Sequence, residues 1–283
     1  MKSFIKYYYK LDIDEYENIG NNIKFSVDNI HYELYEYNGN IGELMNTYNI
    51  LITNNIYCHE IIPNKDNYVV TNYNGINYIL IKKYRYDTNA VDLTTIRDYD
   101  INVNINKKVN WKNLWEQKLD YYEYQISELG LKYKKLRNSF SYYSGLCECA
   151  INLLNYVNYD NVRMNIAHYR IGKRIDEFMN PLNITIDNIT RDIAEYLKSN
   201  MITEFDFNLT NDEYILLMAR ILYPSYYFDV YDKIIKEDIE EKEIDNIIKK
   251  NNSFELFLIK TYKYLITKSN MPRIEWLHNS NYF

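Results

Sequence analysis

The spacing of apolar residues changes character along this chain, and that change limits the folds open to it. Ile23, Phe25 and Val27 alternate with polar neighbours, Asp28-Asn29 supplies a turn, and Ile30, Tyr32 and Leu34 alternate again. A period of two lays one side of an extended segment on a core, so the two runs predict a β-hairpin. Ile41, Leu44, Met45, Tyr48, Leu51 and Ile52 then recur at helical spacing. Extended runs return at Tyr57 to Ile62, Tyr68 to Thr71 and Ile76 to Ile81, separated by Pro63-Asn64-Lys65-Asp66 and Asn72-Tyr73-Asn74-Gly75. Residues 1–86 therefore read as a small sheet with one main helix.

From Val91 onward the period is that of a helix. Trp111, Leu114, Trp115, Leu119, Tyr122 and Ile126 make one stripe, with Trp111 and Trp115 expected as anchors against the small lobe. Phe140, Tyr143, Cys147, Ala150, Leu154 and Val157 make a second, central one. Thr210 and Glu213 form a capping box ahead of an apolar run that Pro224 ends. Thr190, Ser225 and Ser253 are read as caps of three further helices, and Lys236 to Lys250 as a solvated amphipathic one. Residues 87–283 are thus a larger helical region, and 283 residues suit two lobes better than one core.

Charge and composition exclude several functions. A net charge of −6 without a basic stripe argues against a nucleic-acid partner, because phosphate binding needs clustered Lys and Arg. Cys58, Cys147 and Cys149 offer neither metal-ligand spacing nor an even disulfide framework, as in a reduced, intracellular chain. The start MKSFIKYYYK lacks a signal-peptide core, and the longest apolar stretch, Tyr214 to Tyr223, is broken by Arg220, so no membrane insertion is expected. The 33 tyrosines, with abundant Asn, Ile and Lys, read as the codon bias of an AT-rich genome.

Residues able to do chemistry concentrate in the loop 165–192, whose wider stretch reads NIAHYRIGKRIDEFMNPLNITIDNITRDIAEYLK. His168, Arg170, Asp176, Asn183, Asp187, Arg191 and Asp192 lie there. Arg170 is a permanent cation with no acceptor, suited to pairing with Asp176, Asp187 or Asp192. His168 reads as a buried brace of the loop. Asp192 falls in the first turn of a helix, where the unpaired amides favour a carboxylate, and this with Arg191 is a structural assignment. Asp187 closes an apolar extended run and is kept as the candidate metal ligand.

His-Tyr-Arg, a later Asn, Ile-Asp on an extended segment and Arg-Asp opening a helix resemble the catalytic and metal-binding loops of aminoglycoside-phosphotransferase-like kinases. There an Asp takes the proton of the attacking hydroxyl, an Asn five residues on holds magnesium, and a second Asp holds the metal bridging the nucleotide phosphates. His168 matches the loop His and Asp187 the metal Asp, but the proton-accepting position falls on Arg170 and the expected Asn position on Ile175; Asn180 and Asn183 come later. The phosphate-binding Lys of the strand before the helix is missing from Ile30 to Tyr37, Lys24 being the nearest substitute. Glu43 on the helix would be that lysine's partner, and Gly20 is the only glycine near the first strands for a phosphate loop.

Residues 111–126, 142–151 and the pair 191–198 with 216–235 look like the kinase-like spore coat proteins of low-GC Gram-positive bacteria, the CotS/YutH type, in order over most of residues 20 to 278. This resemblance implies an α+β, bilobal protein-kinase-like fold with a β-rich N-lobe at 1–86 and a helical C-lobe at 87–283. It implies association with the spore coat and coat proteins as partners. Two functions follow. One is a pseudokinase scaffold without catalytic residues; the other is a phosphotransferase using ATP and magnesium, with Asp187 on the metal and Asp176 or His168 as an unusual base.

Overall fold

The computed structural model describes residues 1–84, 89–104 and 109–280. The expected boundary between residues 86 and 87 lies outside them. Two compact units emerge, Met1–Tyr99 with Ile166–Ile186, and Asp100–Asn165 with Asp187–Phe283.

The first unit opens with a helix that the sequence reading does not contain, α1 (Lys2–Tyr9), followed by β1 (Glu17–Ile19), β2 (Asn22–Val27) and β3 (Ile30–Glu36). α2 (Ile41–Thr53) comes next, then β4 (Glu60–Ile62), β5 (Thr71–Tyr73), β6 (Ile76–Lys83) and α3 (Leu93–Asp98). The strands pair antiparallel in the order β1-β2-β3-β6-β4, with β5 also on β6. Asp28 and Asn29 both hold positive φ, 51° and 64°, as a two-residue hairpin turn matching strand twist requires. Gly20 at φ 59° serves the turn between β1 and β2.

Register decides what each face does. Ile23 opposes Leu34, Phe25 opposes Tyr32 and Leu34 opposes Leu80, so these share one face and pack on Phe4, Ile5 and Tyr9 of α1. That burial explains why α1 forms: its apolar residues have a sheet to cover. Each fully buried aliphatic here contributes roughly 1.5–3 kcal/mol. The opposite face carries Ile79 and Ile81 against Leu44 of α2 and Ile61. Lys24 opposes Glu33 and Glu33 opposes Ile81, which puts Glu33 on this second face. Asn40 caps α2 by accepting from the amides of Gly42 and Glu43.

Two long helices of the second unit follow, α4 (Trp111–Leu129) and α5 (Lys134–Leu154). The chain then re-enters the first unit through β7 (Asn165–His168), the short α6 (Ile175–Phe178), a 3-10 turn at Pro181–Asn183 and β8 (Ile184–Asp187), which pairs with β7. This return is stitched to what precedes it: Val91 N–H donates to Lys173 C=O, Ile175 N–H to Asn89 C=O, and His59 N–H to Met179 C=O.

The second unit is completed by α7 (Thr190–Asn200), α8 (Asn211–Leu222), α9 (Ser225–Glu237), α10 (Lys242–Ile248), α11 (Asn251–Leu265) and α12 (Glu275–His278). The capping box of Thr210 and Glu213 is present on α8. α8 is buried nearly all round: Ile215 to Leu222 are buried throughout, the charged Arg220 among them. The other three caps differ from expectation. Asn188, not Thr190, accepts from the Thr190 amide at the start of α7, its longer side chain reaching back over the turn. Ser225 makes no capping bond on α9, where Pro224 precedes the first turn, and the Ser253 hydroxyl donates to Lys250 C=O inside the first turn of α11. Some of the tyrosines are core material, while others such as Tyr68 and Tyr124 are exposed: Tyr122 stacks on Phe228 at 4.4 Å and Tyr143 on Tyr227 at 3.8 Å. Trp115 stacks on Tyr223 of the same unit at 4.3 Å.

Candidate functional site

In the first unit the loop after β7 is rigidly braced. His168 is fully buried, its ring stacked on Phe178 at 3.8 Å and beside Tyr99 at 5.5 Å. The pairing of β7 and β8 extends one step as Tyr169 N–H donates to Asn183 C=O. The Asn183 side chain then clasps the next residue from both sides, accepting from Arg170 N–H at 3.2 Å and donating to Arg170 C=O at 2.6 Å. Its amide is spent on backbone. The Arg170 guanidinium donates to Tyr169 C=O at 3.3 Å.

A buried charge network lies on the second face of the sheet. Lys83, the last residue of β6, places its ammonium 2.7 Å from Glu33 of β3 and 2.9 Å from Asp176 of α6. All three residues are under one-tenth exposed. His59 Nε2 lies 3.1 Å from the other Asp176 oxygen and 3.0 Å from Asp176 C=O; two acceptors on one ring nitrogen require that it carry the proton. Burial pushes the Asp176 carboxyl up, but hydrogen bonds from His59 and Lys83 outweigh it and hold the group at about 2. Burial likewise pushes Lys83 down, and Glu33 and Asp176 more than reverse it. Lys24 stands 3.8 Å from Glu33, half-buried rather than a free surface residue.

Of this network, sequence reasoning named only Asp176 and, as a substitute lysine, Lys24, and it looked for a lysine on β3. The strand carries Glu33 there, and the cation comes from Lys83 on the neighbouring β6. One signal was available: a lysine pair closing the apolar run Ile79 to Ile81.

The second unit holds Asp187, Arg191 and Asp192. Arg220 of α8 donates to Asp187 Oδ1 at 2.7 Å and Arg191, four residues on in the first turn of α7, to Oδ2 at 3.1 Å. Asn188 N–H adds a third donor at 2.7 Å. Arg220 is buried, with its guanidinium 4.6 Å from the Trp111 ring centre, and that of Arg191 is 5.8 Å from the same ring. Asp192 is fully buried in the first turn of α7. Below this, Arg163 grips Glu213 through Nε and a terminal nitrogen, and Asn188 donates to both Glu213 and Arg163 C=O. Burial pushes Glu213 up, and Arg163 pulls it below the ordinary glutamate range.

A magnesium ion at Asp187, the metal the resemblance implies, does not fit the side chains as they stand. A hard cation needs free oxygens, and both oxygens of this carboxylate already face guanidinium. Among the described residues, no three His, Cys, Asp or Glu side chains are grouped to hold a metal.

The family described as "Spore coat putative kinase YutH" matches residues 2–261. The chain belongs to this family. Among solved structures, an aminoglycoside phosphotransferase from Alicyclobacillus acidocaldarius superposes with a TM-score of 0.65 at 9% identity, covering 92% of this chain and 94% of its own. A spectinomycin phosphotransferase, solved with ADP and spectinomycin, gives 0.59 at 11% identity over 93% and 92%. At such identities the likeness is one of fold, and the fold of this spore coat family member is the α+β, kinase-like one expected from its loops. Comparison with curated proteins gave no match. Among the described residues no helix is long and apolar enough to cross a membrane.

Proposed function

We propose that this member of the spore coat kinase-like family is a pseudokinase: a kinase-fold binding or scaffold protein that associates with coat proteins and does not transfer phosphate. The supporting observation is Asp187, whose two oxygens are both held by guanidinium, from Arg220 and Arg191, where a magnesium ion on nucleotide phosphates would need them free. Asp176, the alternative base, is held at about 2, far from the pH range where a general base works well. Arg170 stands where the proton acceptor is expected.

The test is thermal stability with millimolar ATP, with and without magnesium, on the wild type and Asp187→Ala. A ligand of the native state raises its stability with occupancy. The expected result is no magnesium-dependent rise; a magnesium-dependent rise that disappears in Asp187→Ala would revive the phosphotransferase reading.

A further inference from the structure

From the second unit we infer a metal-free oxyanion site at Asp187, in which Arg220 and Arg191 supply the positive charge that a divalent cation would otherwise bring. The inference rests on the pseudokinase reading and deepens it. Two guanidiniums converge on one carboxylate, at 2.7 and 3.1 Å, and both approach the Trp111 ring. Buried cations of this kind are uncommon without a reason, and Arg220 is pushed down by burial and by Arg191, against the pull of Asp187.

Among the described residues, two buried donors, one on an element of this pair and one on a turn packed against it, find no acceptor. Arg220 Nε–H, on a residue 7% exposed, makes no hydrogen bond to any described residue, and neither does the buried hydroxyl oxygen of Tyr159. Tyr159 belongs to the 3-10 turn Tyr159–Asn161, which packs on α8, the helix that carries Arg220. An unmet buried N–H costs as much as a lost hydrogen bond, so the arrangement calls for an acceptor. The planar fork of arginine suits the oxygens of a phosphate group, and a neighbouring phenol supplies a further donor. The ligand class is therefore a phosphate-type oxyanion: inorganic phosphate, pyrophosphate or a phosphate ester, bound without magnesium.

The experiment uses the full chain with EDTA present. Thermal stability is followed against inorganic pyrophosphate and phosphate, with sodium chloride at matched ionic strength as the control, for the wild type, Tyr159→Phe and Arg191→Gln. Tyr159→Phe removes a hydroxyl that has no partner among the described residues and should fold as the wild type does. Expected is a saturable rise in the wild type over the chloride control, unchanged by magnesium, with the apparent Kd weakened at least roughly tenfold in each variant. No rise beyond chloride would mean that water satisfies the two donors and would overturn the inference. An equal rise in all three proteins would place the anion elsewhere and overturn it as well. A rise only with magnesium, absent in Asp187→Ala, would sink both this inference and the pseudokinase reading, whereas the first two failures leave the latter standing.

Discussion

Asp176 is the residue whose environment can be read most directly in solution. Its carboxyl, ordinarily near 3.8, is held at about 2 in the folded chain by His59 and Lys83. A depressed carboxylate contributes stability above its unfolded value and loses it as pH falls toward the folded one. Between about pH 5 and pH 2 the wild type should therefore lose roughly 2–3 kcal/mol on this account alone. Asp176→Asn should be less stable at neutral pH and lack that acid limb in urea titrations; a parallel acid profile in both proteins would refute the assignment. At this scale the sequence was a partial guide. His168, Asp176 and Asp187 could be singled out because their neighbours in sequence carried the pattern, though not the partners that each of them has. Lys83 and Arg220 were not, because their partners are far along the chain and each looks locally like a strand end or an interruption of an apolar run.

Among the elements, the local readings held for one hairpin and one capping box but not for the caps at Ser225 and Ser253, and the helix set by distant packing was not read at all. The Asp28-Asn29 hairpin and the capping box of α8 follow from residues within a few positions of one another. Helix α1 follows from the face that Phe25, Leu34 and Leu80 present to it, which no local pattern announces. The cap of α7 went to Asn188 because that side chain answers Arg163 and Glu213 as well as the Thr190 amide. For α8, Thr210→Ala should cost about 0.5–2 kcal/mol, the usual price of a lost cap. Glu213→Ala should cost more, since it strips Arg163 and Asn188 of their shared acceptor. Denaturant midpoints at constant slope would rank the two, and a reversed ranking would show that the cap, not the Arg163 grip, anchors this helix.

For the whole molecule, tyrosine burial sets the alkaline limit. Burial raises the phenols of Tyr35, Tyr122, Tyr223, Tyr227 and Tyr231, and carries Tyr143 to about 12. A phenol whose folded value is raised stabilises the native state below its unfolded value, near 10, and that contribution is lost as pH climbs past it. Stability should therefore fall steeply above about pH 10, with the phenolate absorbance of the buried set appearing together with loss of circular dichroism. Smooth titration of all tyrosines in a still-folded chain would contradict this.

The return of residues 166–186 to the first unit also has a meaning in time. Lys83 leaves the ribosome long before Asp176, which lies 93 positions later. At about 5–20 residues per second, the nascent sheet waits on the order of ten seconds with Lys83 and Glu33 lacking the aspartate that completes their network. During that interval the helices α4 and α5 are being made, so the first unit cannot be completed until part of the second has already emerged.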